Sequence, residues 1–201
     1  MEEINDTYKT LAKPSEEILF KEKKSKFYGY AFPVKNEAEV KLRIEELRKK
    51  HPNANHVCYA WQLGISELNY RANDDGEPNN SAGMPIYGQI QSFDVTNTLV
   101  AVARIFGGTK LGVGGLISAY KMGAKLALEN SNIVERIVQK QYKLTFEYAQ
   151  MDVVMRIIKQ KNLQIVSQKM EMDCELIIAV RKSEAEQIKD VFVGIYGVDI
   201  I

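Results

Sequence analysis

The stretch Thr98-Leu99-Val100-Ala101-Val102-Ala103-Arg104-Ile105-Phe106-Gly107-Gly108-Thr109-Lys110-Leu111-Gly112-Val113-Gly114-Gly115 sets the organisation of the chain. Its first nine residues are branched or apolar except for Thr98 and Arg104, and they read as a strand buried in a sheet. The next nine hold five glycines, a loop. From Leu116 to Glu129 small and large apolar residues recur at helical spacing, ending near Asn130-Ser131. A strand that feeds a glycine loop and then a helix brings unpaired N–H groups and a positive dipole end to the helix start. Glycines let a ligand approach the backbone closely, and Lys110 adds a full charge. Gly107, Gly108, Lys110, Gly112, Gly114 and Gly115 are therefore expected to hold phosphate or another anion, with no further cofactor implied. A tight turn explains two or three of these glycines. The loop is not a P-loop, because Lys110 follows Thr109 and no Ser or Thr comes next, and it lacks the third glycine of a dinucleotide fingerprint.

Upstream lies a second polar loop, Asn73-Asp74-Asp75-Gly76-Glu77-Pro78-Asn79-Asn80-Ser81-Ala82-Gly83. Three carboxylates in four positions repel one another unless water screens them or a cation or basic side chain meets them. A solvated Asp-Gly turn accounts for the pattern as well as a hard-cation site or an ion pair does, and the EF-hand spacing is absent. Asp74, Asp75 and Glu77 are candidates on this ground. Arg104 in an otherwise apolar strand needs a partner, and one of these carboxylates is the obvious one. His56 begins a strand, His56 to Leu63, with Cys58 two positions on and Tyr59 beyond it. His56, Tyr59 and Arg104 are expected to line a groove between the two loops. A Cys58/His56 nucleophile is disfavoured, since two residues apart on a strand share a face without a fixed hydrogen bond.

The rest of the chain gives the domains. Nine of the thirteen glycines fall between Gly76 and Gly123, the last proline is Pro85, and Ala124 to Val193 has neither, a shift that suggests modules of residues 1–130 and 131–201. In the first, Glu17 to Phe20 and Lys26 to Val34 read as a hairpin around Lys21 to Ser25. Asn36 caps a helix with Glu39 reaching back, Val40, Ile44 and Leu47 form its apolar face, and His51-Pro52 ends it. A polar stretch runs from Leu63 to Gly83, and Pro85 starts a short helix. The second module reads βαββαβ: strand Gln141 to Tyr148, helix Met151 to Gln160, strands Leu163 to Lys169 and Cys174 to Val180, helix Ser183 to Ile195 behind a Ser183…Glu186 capping box, and strand Val198 to Ile201. Two apolar helix stripes, Met151, Val154, Met155 and Ile158, and Ile188, Phe192 and Ile195, suit a ferredoxin-like sandwich in an α+β chain.

Composition narrows the partners. With 27 basic and 26 acidic side chains, a net charge of +1 gives no global field toward nucleic acid or lipid, so any basic surface is local. At 45% apolar and 26% charged, 201 residues make a globular chain of one or two domains at about 150 residues each. Two cysteines build no disulfide framework or zinc site, which fits the cytosol. The acidic start, Met1 to Asp6, is unlike a signal peptide, and neither export nor a membrane anchor is expected.

The motifs Tyr70 to Pro78, Ala82-Gly83-Met84-Pro85-Ile86 and Ala103 to Leu116, with His56-Val57-Cys58-Tyr59-Ala60 upstream, resemble the IMPACT family and its bacterial YigZ-like branch over about residues 15 to 125. Asn79-Asn80-Ser81 departs from the Ser-Gly-Thr of many relatives, which leaves a hydroxyl at position 81 only. The resemblance implies an N-terminal domain with the ribosomal protein S five domain 2-like fold and a C-terminal domain resembling late domains of elongation factor G. Both of those relatives work on ribosomes or RNA. It also implies a role in translation, since eukaryotic members compete for the activator of a starvation-responsive kinase. Three functions follow: a module binding RNA, the ribosome or a translation factor through the glycine loop, with Tyr59 and Tyr120 nearby; an enzyme on an anionic or phosphorylated small molecule with no established catalytic motif; and a protein–protein regulator without nucleic-acid contact.

Overall fold

The protein is described here by a computed structural model covering residues 6–201, so all but Asp6 of the acidic start lies outside the described residues. Those residues form two compact units, Tyr8–Arg136 and, with Asp6 and Thr7, Ile137–Ile201.

The first unit is built on β2 (Ile18–Glu22), β3 (Ser25–Pro33), β4 (His56–Leu63), β5 (Asn69–Asn73) and β6 (Thr98–Ile105), in the antiparallel order β2-β3-β6-β4-β5. The central strand β6 is the apolar run of the sequence, and every residue from Thr98 to Arg104 is buried because both faces of the sheet are covered. On one face, α1 (Glu37–Lys50) packs Val40, Ile44 and Leu47 against Tyr30, Trp61 and Leu99. Asn36 caps α1, its Oδ1 accepting from Glu39 N at 2.9 Å, while the Glu39 carboxylate reaches one residue further back than expected, to Lys35 N at 2.9 Å. On the other face lie α2 (Gly83–Ser92) and α3 (Gly112–Glu129), whose Ile86, Ile90, Ala119, Tyr120, Ala124 and Leu128 close over Phe27, Cys58, Ala60, Val100 and Val102.

Several boundaries differ from the sequence reading. The helix expected from Leu116 starts at Gly112, so Gly112, Gly114 and Gly115 lie in its first turn, where burial of Leu116, Ala119 and Tyr120 outweighs glycine's low propensity. Helix α2 begins two residues before Pro85, whose missing N–H costs nothing in a first turn. Part of the supposed polar stretch is strand β5, and β1 (Thr7–Leu11) pairs with β7 (Ile133–Ile137) in a two-stranded sheet. Residues 131–136 therefore group with the first unit.

The second unit has β8 (Gln139–Glu147), α4 (Met151–Gln160), β9 (Gln164–Lys169), β10 (Asp173–Arg181), α5 (Ala185–Val193) and β11 (Val198–Ile200), with antiparallel strand order β11-β8-β10-β9. Both helix stripes enter one core with Leu144, Phe146, Leu176 and Ile178. The Ser183…Glu186 capping box does not form: Ser183 donates to Asp6 at 2.5 Å, and Glu186 pairs with Lys140 at 3.0 Å. Charged side chains elsewhere in the unit took both members of the box. Among the described residues no helix is long and apolar enough to cross a membrane.

Candidate functional site

The acidic loop is organised from within. Asn73 Oδ1 accepts from Asp75 N at 2.8 Å, and Asp75 and Gly76 then take positive φ, 47° and 88°, which turns the chain. The three carboxylates diverge. Asp74 accepts from the N–H groups of Asn80, Ala82 and Gly83 at 2.8, 2.9 and 2.7 Å, capping α2 from outside it because Ala82 has no capping side chain. Asp75 accepts from Arg48 and from Val57 N, both at 2.6 Å, and its carbonyl meets His56 Nδ1 at 2.7 Å. Glu77 alone turns inward. Its Oε1 accepts from Arg104 Nη1 at 2.6 Å and Tyr120 Oη at 2.7 Å, with His56 Nε2 at 4.0 Å. Among the described residues no group of three or more His, Cys, Asp or Glu side chains could hold a metal ion.

Arg104 and Glu77 are both buried, and a buried charge persists only if it is paired. The guanidinium is further held 5.5 Å from the ring centroids of Phe27 and Phe106, while its buried Nε has no partner among the described residues. Arg104 therefore keeps donor capacity beyond its bond to Glu77.

Above this pair opens a hollow of about 490 Å³. It is lined by Asn55, His56, Glu77, Pro78 and Arg104 together with Phe106, Lys110, Leu111, Gly112, Val113 and Leu116. The α3 N-cap, Leu111, offers its first turn no side-chain acceptor. The start of α3, with its dipole end, and Lys110 thus border one cavity with Arg104, whose charge Glu77 offsets, and the helix start and Lys110 favour negative charge there. Phe106, 43% exposed, stands at its rim.

Of the expected residues, the structure brings His56, Glu77, Arg104, Lys110 and Gly112 together around this hollow. Gly114 and Gly115 sit in the same helical turn without lining it, and Gly108 makes a left-handed turn at φ 85°. Gly107 serves packing: a Cβ there would lie 2.0 Å from the Lys24 carbonyl carbon. Asp74 and Asp75 are engaged elsewhere, as above. Tyr59 is on the wrong face: three residues from His56 along a strand, it points to the α1 side and lines a separate hollow with Trp61 and Arg71. Tyr120 is fully buried, and burial pushes its phenol pKa well above the usual range, so it is no surface aromatic. Burial likewise pushes the Cys58 thiol up, and its Sγ lies 3.0 Å from the Asp74 carbonyl, a setting that disfavours the thiolate. Phe106 also lines the hollow, and its place two residues after Arg104 on an extended segment is the sequence signal for a shared face.

Residues 23–128 match the Impact N-terminal domain. The chain belongs to the IMPACT family. The IMPACT family member of Haemophilus influenzae is 29% identical over 177 residues, 86% of each chain. The IMPACT family member YigZ of Escherichia coli is 31% identical over 147 residues, 72% of each. Both units have a counterpart in a crystal structure described only as a hypothetical protein, which covers 98% of each chain at a TM-score of 0.72 and 27% identity. The whole lining of the hollow, Asn55 to Leu116, falls within the matched IMPACT domain.

Proposed function

We propose that this IMPACT protein is a translation-linked RNA-binding regulator that takes a backbone phosphate at the start of α3. The reading rests on one observation: the hollow joins the uncapped first turn of α3 to Lys110 and to the under-used guanidinium of Arg104, with an exposed aromatic at its edge. Phosphate on helix N–H groups and a base stacked on Phe106 are complementary halves of single-strand recognition. The first unit is read as ribosomal protein S five domain 2-like and the second as ferredoxin-like, resembling late domains of elongation factor G. Ribosomes or translation factors are then the natural partners, and the cytoplasm the natural place. Fluorescence anisotropy of a labelled single-stranded RNA across a salt series tests it. Binding should weaken with salt, Lys110→Ala should flatten the log–log slope by about 0.7, and Phe106→Ala should weaken binding at every salt concentration. Binding absent at low salt, or indifferent to salt, overturns the proposal.

A second reading has its own support. A hollow of about 490 Å³ is the size of small-molecule sites, so an anionic metabolite fits as well as an RNA phosphate does. Saturation by inorganic phosphate or a mononucleotide with no RNA binding would favour it.

A further inference from the structure

The β2–β3 hairpin turns through Lys23 and Lys24, between the paired residues Glu22 and Ser25. Both lysines have positive φ, 43° and 66°. A two-residue turn with both central residues left-handed is the kind that asparagine and glycine make without strain. Two lysines there cost conformational energy and add nothing the turn needs. The turn is also the middle of a charge cluster: Lys21, Lys23, Lys24 and Lys26 are all exposed, Glu22 is the one acid among them, and none of the four lysines enters an ion pair among the described residues.

The strained turn is fastened to the glycine loop. Gly107 lies so close that a Cβ would sit 2.0 Å from the carbonyl carbon of Lys24 and 2.3 Å from Ser25 N. Its own N–H donates to the buried Ser25 hydroxyl at 3.1 Å. Lys26 stands opposite Ile105, one residue before Phe106. Lys23 helps line a second hollow with Leu111 and Gly115, from the loop and first turn of α3. Leu111 borders both hollows, so the lysine turn flanks the start of α3 on one side as Arg104 flanks it on the other.

We infer that the Lys23–Lys24 turn is a second phosphate-contacting surface for the same single-stranded RNA, continuing the backbone track from the α3 hollow past Phe106. This rests on the RNA reading above and extends it by one to two nucleotides. An acidic protein segment could also meet four lysines. RNA is favoured because the cluster adjoins an exposed aromatic and a helix start, which suit a stacked base and a phosphate rather than a run of carboxylates.

The double substitution Lys23→Asn and Lys24→Gly tests the inference without endangering the fold, because it removes two charges and supplies the residues such a turn prefers. The variant should unfold at or above the parental temperature. It should bind a labelled single-stranded RNA of ten nucleotides at least fivefold more weakly at low salt, with a log–log slope shallower by about 1.4, two phosphates at about 0.7 each. Parental affinity and slope in this variant, with the parent and Lys110→Ala behaving as described above, would overturn the lysine turn and leave the α3 site standing. No binding by the parent would overturn both. A poly-glutamate peptide that binds the parent as tightly as the RNA, with the same loss in the variant, would overturn RNA as the ligand of this turn.

Discussion

Glu77 satisfies two donors at once, the Arg104 guanidinium and the Tyr120 phenol, in a setting with little water to replace either. The pair need not stabilise the fold relative to a well-packed apolar substitute, because desolvation offsets most of the attraction. Breaking it is another matter. Glu77→Ala leaves a buried cation and a buried hydroxyl unmatched and should destabilise the first unit by about 3–5 kcal/mol, whereas Glu77→Gln keeps an acceptor and should cost less. Trp61, the one tryptophan of the chain and buried in this unit, reports the loss in urea titrations by its fluorescence. Equal midpoints for the alanine variant and the parent would show that the pair is not structural. The Arg104–acid contact was legible in the sequence, because a lone cation in an apolar strand demands an anion. Which of the three carboxylates met it was not, since that depends on the left-handed residues Asp75 and Gly76 that swing Glu77 inward.

At the level of elements, legibility followed burial. Strands β3, β4 and β6 and helices α1, α4 and α5 carry apolar patterns set by the faces they cover, and they lie where those patterns put them to within a few residues. Strands β1, β5 and β7 are five residues each and held by pairing with neighbours; β5 and β7 are largely exposed, β1 buries only its last two residues, and none left a periodic trace. The glycine loop was the hardest stretch, because glycine serves several purposes there that look identical in a sequence. Two substitutions separate them. Gly107→Ala drives a methyl into the backbone of Lys24 and should destabilise the first unit severely, with loss of the Trp61 transition at temperatures where the parent is folded. Gly114→Ala meets open space in a first helical turn with no positive φ to preserve, and should raise stability by up to about 1 kcal/mol. If both behaved alike, the loop's shape would not be set by contact with the β2–β3 turn.

At the level of the whole molecule, Asp6 is recruited by residues more than 170 positions away in sequence. Its carboxylate accepts from Arg181 Nε at 2.6 Å, Arg181 Nη2 at 2.9 Å and Ser183 Oγ at 2.5 Å, and its carbonyl accepts from Val138 N at 2.6 Å. The Arg181 hydrogen bonds, then the Ser183 hydroxyl, hold its pKa far below the usual carboxylate range. A lowered folded pKa means the contribution is fully present above the unfolded value, about 3.9, and lost as pH falls through that value toward the folded one. The second unit should therefore weaken below about pH 4 in the parent, and Asp6→Asn should be less stable near neutrality yet lose that acid-dependent step. Glu17, lowered by the hydrogen bond from Tyr30 and then by Lys50, gives the first unit an acid limb of its own. Trp61 fluorescence in the Asp6→Asn variant should accordingly keep its parental pH dependence while the far-ultraviolet transition of the second unit changes. An unchanged acid limb in that transition would mean that the Asp6 carboxylate does not hold the second unit together.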